Sequence, residues 1–180
     1  MSDDPDPSPS APDRESAGAE GLEIQIAVED PAWQDAVPAL LSRVERAARA
    51  ALDHRRARPA AAGAAELSIL LADDGCVRAL NRAYRGRDRA TNVLSFPYEE
   101  VCLGDVVLAR ETIEREAAEQ GKSTGDHLAH LLVHGILHLC GFDHEDEAEA
   151  REMERLEREI LAALGLADPY RPSPAEGRVA

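Results

Sequence analysis

The chain has 180 residues, of which 44% are hydrophobic and only 3% aromatic, so it has room for one ordinary domain with an aliphatic core. Its net charge of −15 argues against a general nucleic-acid coat protein, because phosphate binding needs cations. Three widely spaced cysteines argue against a disulfide framework, and no apolar run approaches the ~20 residues that cross a bilayer. We therefore expect a cytoplasmic protein without membrane contact.

The N-terminal part of the sequence predicts a tail, a strand and a long helix. Residues 1–20, rich in Ser, Pro and acids, are expected to form a disordered acidic tail. Apolar residues alternate with polar ones over 22–28, which predicts a half-buried strand. Asp30 and Pro31 are typical of a helix start, and one continuous helix is expected from there to about Arg56. Its expected core stripe comprises Val37, Leu40, Leu41, Val44 and Leu52.

The rest of the chain predicts three more strands and four more helices. An alanine-rich loop over 57–65 leads to a strand over 66–72 and a helix from Asp73 or Asp74 to Tyr84. The remaining predicted elements are strands over 93–96 and 103–109 and helices over 111–120, 124–140 and 146–164. In the last helix we expect Met153, Leu156, Ile160 and Leu164 to face inward and the Glu and Arg residues to face outward.

This order of elements predicts an α+β fold. We expect one domain over residues 21–170, in which a small mixed sheet of about four strands packs with about five to six helices. Residues 171–180 are expected to form a loose tail.

Five of the six histidines lie between positions 127 and 144. His134 and His138 are four residues apart, about 40° of rotation and 6 Å of rise on a helix, so both can reach one ion at ~2.0–2.1 Å. Gly141 is expected to end the helix in a left-handed conformation, which lets the chain reverse and bring His144 back as a third ligand. Three neutral nitrogens leave one Zn²⁺ ion with an open position, as in catalytic sites.

The spacing of these residues also matches the zincin proteases, H-E-x-x-H-x-x-G-x-x-H. The metal-binding helix is therefore zincin-like, but Gly135 stands where the protease has its Glu general base. Peptide hydrolysis is disfavoured for this reason. Gly135 itself indicates either close approach of substrate or backbone, or tight packing of the helix.

Other polar residues near this motif each allow two interpretations. His127 and His130 are expected at the surface, although either could lie behind the metal ligands or face a substrate. Asp105 interrupts an apolar strand, and Asp143 lies next to the third histidine. Each is either a structural hydrogen-bond acceptor or the partner that orients a metal-bound His. The acids at 145–147 are expected to be N-terminal charges of the last helix.

The segment RGRDRATNVLSFP, residues 85–97, is an arginine-rich loop that runs into a short apolar strand. Guanidinium groups suit phosphate oxygens, and Thr91 and Asn92 add neutral donors. Residues 78–89 carry a local net charge of +4, so an acidic protein can still hold RNA on this patch. The alternative is a solvated loop that Asp88 ties down.

The segment HGILHLCGFDH, residues 134–144, resembles the H-G-x-L-H-L-x-G-[YF]-D-H signature of the YbeY endoribonucleases, and YRGRDRATNVLSFP and LGDVVL resemble two further segments of that family in the same order. The resemblance covers roughly residues 22–170. It implies zinc bound by His134, His138 and His144, with Arg85 as a functional arginine beside the metal.

The resemblance also implies a metal-dependent, single-strand-specific endoribonuclease. Such an enzyme would act in ribosomal RNA processing, at the 3′ end of the small-subunit RNA, and in ribosome quality control. Its implied partners are single-stranded ribosomal RNA, the small ribosomal subunit and assembly factors. The acidic N-terminal tail has no counterpart in the family's motifs.

On this hypothesis Arg85 and the metal ligand His134 are the catalytic residues, and the arginine offsets charge that builds on the phosphate. The expected RNA-binding residues are Arg87, Arg89, Thr91 and Asn92. The base stays open between metal-bound hydroxide and His127 or His130, with the 2′-hydroxyl of the RNA as an alternative nucleophile. Two other functions remain: a non-catalytic ribosome-assembly factor with a structural zinc, and a zincin-like metalloprotease.

Overall fold

The structure, a computed structural model, describes residues 22–57, 66–98 and 102–171. The expected acidic tail, most of the alanine-rich loop and the C-terminal tail lie outside the described residues. The strands are β1 (Glu23–Val28), β2 (Glu66–Ala72), β3 (Val93–Pro97) and β4 (Cys102–Ala109). The helices are α1 (Trp33–Ala36), α2 (Leu40–Asp53), α3 (Asp74–Arg85), α4 (Arg110–Glu119), α5 (Thr124–Leu139) and α6 (Glu147–Ala163). The predicted α+β fold, with a four-stranded mixed sheet and five to six helices, is confirmed.

The sheet has the strand order β1-β2-β4-β3. β1, β2 and β4 are parallel, whereas β3 is an antiparallel edge strand in which Ser95 pairs with Val106 of β4. Because side chains alternate along a strand, each strand serves both faces. The larger hydrophobic core lies between one face of the sheet and helices α2, α5 and α6. Part of α3 packs on the opposite face of the sheet. Helix α5, which carries His134 and His138, packs on the sheet beside β3 and β4.

The expected single helix from Asp30 to about Arg56 is wrong, because the chain breaks it near Pro38. Val37 is extended at φ −132°, ψ 106°, as is usual for a residue before proline. Ala39 then adopts a left-handed conformation at φ 54°, and α2 begins after it. Leu41, expected in the core, is 54% exposed. The buried residues of α2 are Leu40, Val44, Ala47, Ala48, Ala51 and Leu52.

Asp30 connects the end of β1 to the start of α4 rather than capping a helix directly. Helix α1 begins three residues later, with Ala32 as its N-cap residue. The Asp30 carboxylate accepts a hydrogen bond from the Ala32 backbone N–H at 3.0 Å and one from the Arg110 guanidinium. The hydrogen bond from Arg110 lowers the pKa of Asp30 below its ordinary value of 3.8.

The last helix begins and ends with specific contacts. Asp146 caps α6 in a capping box with Glu149, and Glu147 lies in its first turn, which confirms the expected role for Asp146 and Glu147. Residues 165–171, here called the C-terminal strap, fold back on α6, where Arg158 donates to Asp168 and the Tyr170 hydroxyl donates to Glu157. The Nζ of Lys122, the sole lysine of the sequence, donates to the Pro169 carbonyl at 2.7 Å.

Within the described ranges, no helix is long and apolar enough to cross a membrane.

Candidate metal centre

Helix α5 and the turn after it carry the predicted ligands. Gly141 adopts φ +84°, its N–H donates to the His138 carbonyl at 3.0 Å, and the Phe142 N–H donates to the Leu137 carbonyl at 3.0 Å. This pair of bonds is a Schellman motif, which satisfies the last carbonyls of a helix while the chain reverses. The reversal is the one that the sequence predicts, and it returns His144 to the helix.

The three histidines come together at the C-terminal end of α5. The Nε2 atoms of His134 and His138 are 3.1 Å apart, and one ring nitrogen of each of the three residues, His144 included, lies within 4.8 Å of the others. His134 and His138 are half-buried, whereas His144 is exposed. The triad could therefore hold a metal ion in a site that is open to solvent.

The donor set fits a small divalent cation. In a tetrahedral site with Zn–N bonds of ~2.0–2.1 Å, neighbouring ligand nitrogens lie about 3.3 Å apart, close to the observed 3.1 Å between His134 and His138. The exposed side chain of His144 has room to close the longer distances. Burial lowers the pKa of His138, and the neighbouring imidazoles of His134 and His144 lower it further. The neutral form, which binds metals, is thus favoured.

A buried carboxylate lies behind the triad, and the sequence reasoning missed it. Glu157 of α6 is 0% exposed. Its Oε1 is 2.7 Å from His134 Nδ1, and its Oε2 is 2.9 Å from His130 Nε2 and also accepts from the Tyr170 hydroxyl. Burial raises the pKa of this group, but the hydrogen bonds from His130 and His134 outweigh that effect and lower the pKa of Glu157 to about 2.

The spacing of buried residues along α6 could have predicted that Glu157 faces inward. Position 157 lies four residues after Met153 and three before Ile160, both of which are buried, so it belongs to the inward stripe of α6. The expectation that every Glu of this helix faces outward is wrong at this position. An acid on a buried stripe requires a partner, and His134 and His130 supply it.

The expectation that His127 lies at the surface is also wrong, because the residue is only 3% exposed. His127 Nε2 is 2.9 Å from Glu116 Oε2, and the same carboxylate accepts from Asn92 Nδ2 at 3.0 Å. Burial lowers the pKa of His127, against the opposing effect of Glu116. His130 is half-buried with Nε2 held by Glu157. In each ring the other nitrogen, Nδ1, is buried, which disfavours either histidine as a general base toward a solvent-exposed substrate.

Gly135 marks close packing of α5 on the sheet. A Cβ atom at this position would lie 2.9 Å from Val106 Cγ1, 3.0 Å from Ser95 Oγ and 3.3 Å from Val93 Cγ2. Of the two interpretations of this glycine, the structure favours tight packing over approach of a substrate. The same contacts leave no space for the Glu of a zincin protease.

Arg85 is the last residue of α3, and its side chain contacts the edge strand β3. Its Nη2 donates to the Ser95 carbonyl at 3.1 Å, and its Cζ is 5.9 Å from the centroid of the Phe96 ring. The Ser95 hydroxyl in turn donates to the Gly135 carbonyl at 3.2 Å. Two hydrogen bonds therefore connect the guanidinium to the turn of α5 that carries His134.

The arginine-rich loop is partly tied down. Arg78 and Asp88 form a bidentate ion pair at 2.8 and 3.0 Å, as the structural interpretation of this loop expects. Arg87 and Arg89 are exposed and extend the positive charge beside Arg85. Thr91 is half-buried. The amide of Asn92, described above, is engaged by Glu116.

The two ambiguous aspartates have different surroundings. Asp105 Oδ2 accepts from the Tyr98 hydroxyl at 2.9 Å, and Asp105 helps to line a cavity on the sheet face opposite α5, which favours the structural interpretation. Asp143 Oδ1 accepts from the His144 N–H at 2.8 Å and lies 3.9 Å from His138 Nδ1. Asp143 therefore lies beside the ligand set, and Asp105 does not.

Comparisons with known proteins place this chain among related sequences. A family model described as "Endoribonuclease YbeY" matches residues 29–165. A Rhizobium johnstonii relative named Endoribonuclease YbeY is 49% identical over 159 residues, 83% of this chain and 93% of its own length. An Azorhizobium caulinodans relative of the same name is 50% identical over 168 residues, 87% of this chain and 100% of its own length. A solution structure of a Thermotoga maritima protein is 22% identical, with a TM-score of 0.49 over 83% of this chain and 99% of that chain.

Proposed function

Because this chain belongs to the endoribonuclease YbeY family, we propose that it is a zinc-dependent endoribonuclease that cleaves single-stranded RNA. The observation that supports this function most is the hydrogen-bonded connection, through Ser95, between two groups that suit a phosphate. The three-imidazole cluster lies at the end of α5, and Arg85 is hydrogen-bonded to the strand on which α5 packs. A bound metal ion and a guanidinium connected in this way would both bind phosphate oxygens.

His134, His138 and His144 are the proposed zinc ligands. A bound Zn²⁺ would supply Lewis-acid chemistry toward a phosphoryl oxygen and would lower the pKa of a coordinated water. Arg85 is exposed, and one of its donors is directed to the Ser95 carbonyl. The remaining N–H groups of the guanidinium would hold the phosphate and stabilise the charge that builds on it in the transition state.

The arginines that follow would extend the RNA site. Arg87 and Arg89 are exposed on the loop next to Arg85, where they can pair with flanking phosphates. A single strand can bend into such a site, whereas a duplex is too stiff. Roles for Thr91 and Asn92 in RNA binding stay predictions, and Asn92 would have to exchange its contact with Glu116 for one with RNA.

The nucleophile is identified by the ends of the products. His127 and His130 each have one ring nitrogen at a carboxylate and the other buried, which disfavours both as the base, and Gly135 has no side chain that could replace them. A 2′,3′-cyclic phosphate would identify the 2′-hydroxyl as nucleophile. A 5′-phosphate with a 3′-hydroxyl would identify water.

The proposed substrate in the cell is ribosomal RNA, at the 3′ end of the small-subunit RNA. The small ribosomal subunit and its assembly factors are the proposed partners, and the cytoplasm is the proposed location. These assignments rest on the family resemblance of the motifs at 85–97 and 134–144.

Charge reversal at Arg85 tests the proposal. We expect Arg85→Glu to keep stoichiometric zinc by elemental analysis and to lose about 10²–10³-fold in cleavage of single-stranded RNA, since one positioned donor is worth that much in a transition state. Arg46→Glu is the control, because Arg46 is an exposed residue of another helix, α2, and lies outside the positive patch at 78–89. It should retain cleavage to within about threefold. Equal cleavage by the wild type and Arg85→Glu would remove Arg85 from the mechanism.

The two rival functions make different predictions. A structural zinc would hold the fold together, so that chelation would unfold the domain and pure protein would leave RNA intact. The position of the triad at the end of one helix, outside the buried core, favours a fold that survives chelation. A metalloprotease would cleave peptides in a chelator-sensitive manner, and the packing at Gly135 disfavours it.

A further inference from the structure

We propose that Glu157 is a positioning residue that fixes His134 in the one tautomer able to bind a metal through Nε2. This inference deepens the proposed function and rests on His134 being a ligand. It stands on the burial of the carboxylate, on the three groups that surround it and on the direction in which the His134 ring is turned.

The hydrogen-bonding capacity of the carboxylate determines where the proton lies. An ionised carboxylate only accepts hydrogen bonds, so the His134 Nδ1, 2.7 Å from Glu157 Oε1, must carry its proton. The other nitrogen of a neutral ring then has a free lone pair. That atom, His134 Nε2, is the one that lies 3.1 Å from His138 Nε2. The ring therefore presents its lone pair to the proposed metal position.

The second carboxylate oxygen of Glu157, Oε2, contacts two other groups, so that Oε1 remains the partner of His134. Glu157 Oε2 lies 2.9 Å from His130 Nε2 and accepts from the Tyr170 hydroxyl. Tyr170 belongs to the C-terminal strap, and its ring packs on the Arg158 guanidinium at 4.7 Å and edge-on to the His130 ring at 5.6 Å. The carboxylate is thus fixed from both sides and cannot rotate away from His134 without losing buried hydrogen bonds.

Replacement by an amide of the same shape separates the positioning role from packing. A Gln side chain has one acceptor oxygen and one NH₂ donor. If the NH₂ group faces His134, the ring must accept at Nδ1 and carry its proton on Nε2, where a metal cannot bind. If it faces the other side, it meets the donors of His130 and Tyr170. Glu157→Gln therefore shifts the tautomer of His134 or frees its ring to rotate.

Two measurements that need no RNA test this inference, so their failure is separable from failure of the proposed function. The first is the long-range ¹H–¹⁵N spectrum of the metal-free full chain at about pH 8, where histidines are neutral. It distinguishes the two tautomers, and we expect the Nδ1–H form for His134 in the wild type. The second is zinc affinity by competition with a chelator, which we expect Glu157→Gln to weaken by about 10–100-fold.

Two control variants sharpen the comparison. Glu154→Gln alters a partly exposed acid of α6 whose ion-pair partner is Arg158, and its zinc affinity should stay within about twofold of the wild type. Tyr170→Phe removes a donor from Glu157 Oε2 and leaves the oxygen that faces His134, so it should weaken zinc by less than about fivefold.

Either measurement can overturn the inference. An Nε2–H tautomer of His134 in the wild type would do so, whether or not any variant folds. A folded Glu157→Gln protein with wild-type zinc affinity and the wild-type tautomer would do so as well.

Discussion

Substitution of Gly135 by alanine sets two opposing energies against each other. Alanine in a helix interior is favoured over glycine by ~1 kcal/mol, so a loosely packed glycine should give a more stable variant. At Gly135, however, the added Cβ would lie 2.9 Å from Val106 Cγ1 and 3.0 Å from Ser95 Oγ. Val106 is 0% exposed in a central strand, so it has little room to move away.

Overpacking of such a site costs ~1–3 kcal/mol. We take the upper part of that range because two of the contacts, to Val106 and Ser95, are at or below 3.0 Å. Subtraction of the ~1 kcal/mol gained from helix propensity leaves a net destabilisation of ~1–2 kcal/mol. For a chain of this size that lowers Tm by ~2–8 °C. Cleavage should fall further than stability, because α5 carries His134 and is moved away from the strand that holds Arg85.

The assay is thermal unfolding of Gly135→Ala beside Gly125→Ala, a second glycine of α5. A Cβ at Gly125 would lie 3.3 Å from the end of the Arg43 side chain and 3.4 Å from Val37 Cγ1, contacts that a small movement relieves. Gly125→Ala should therefore be neutral or slightly stabilising. A Gly135→Ala protein that is ~1 kcal/mol more stable than the wild type would refute the packing argument.

Two further predictions concern a ligand and an ion pair. His138→Ala should bind zinc ~100-fold or more weakly, since it lacks one of three ligands. His54→Ala should retain zinc, because His54 pairs with Glu159 and is not one of the three clustered histidines. Stoichiometric zinc in His138→Ala would contradict the ligand assignment. Asp30→Asn should cost ~1–3 kcal/mol at pH 7. Because Arg110 lowers the folded-state pKa of Asp30, this stabilisation is present above the unfolded value of 3.8 and is lost as pH falls through the folded value. The unfolding free energies of wild type and Asp30→Asn should therefore converge in acid, and a constant difference would contradict the pairing.

The parts of the molecule that the sequence predicts are those that local spacing determines. His134, His138 and Gly141 lie within eight residues, so helix geometry and a left-handed turn suffice to place them. The strand and helix periods likewise predict the α+β fold. The exception is the helix break near Pro38. There Ala39 adopts a left-handed conformation, although the surrounding apolar residues follow a strong helical pattern.

The contacts that the sequence could not predict join residues far apart in the chain. Glu157 is 23 residues from His134, and Glu116 is 11 residues from His127. Periodicity tells which face of a helix is buried, but not which neighbour that face meets. The partners of both histidines therefore depend on how α4 and α6 pack against α5, which no local pattern specifies.

The single lysine has a practical consequence. Lys122 Nζ donates to the Pro169 carbonyl, and burial lowers its pKa below the ordinary 10.5. Release of this hydrogen bond would expose the amine to reagents in solution. Besides the N-terminal amine, an amine-directed acylating reagent would thus label a single lysine side chain, at a rate set by how often residues 165–171 detach. The labelling rate of Lys122 would therefore report how often Tyr170, in the same segment as Pro169, separates from the Glu157 carboxylate.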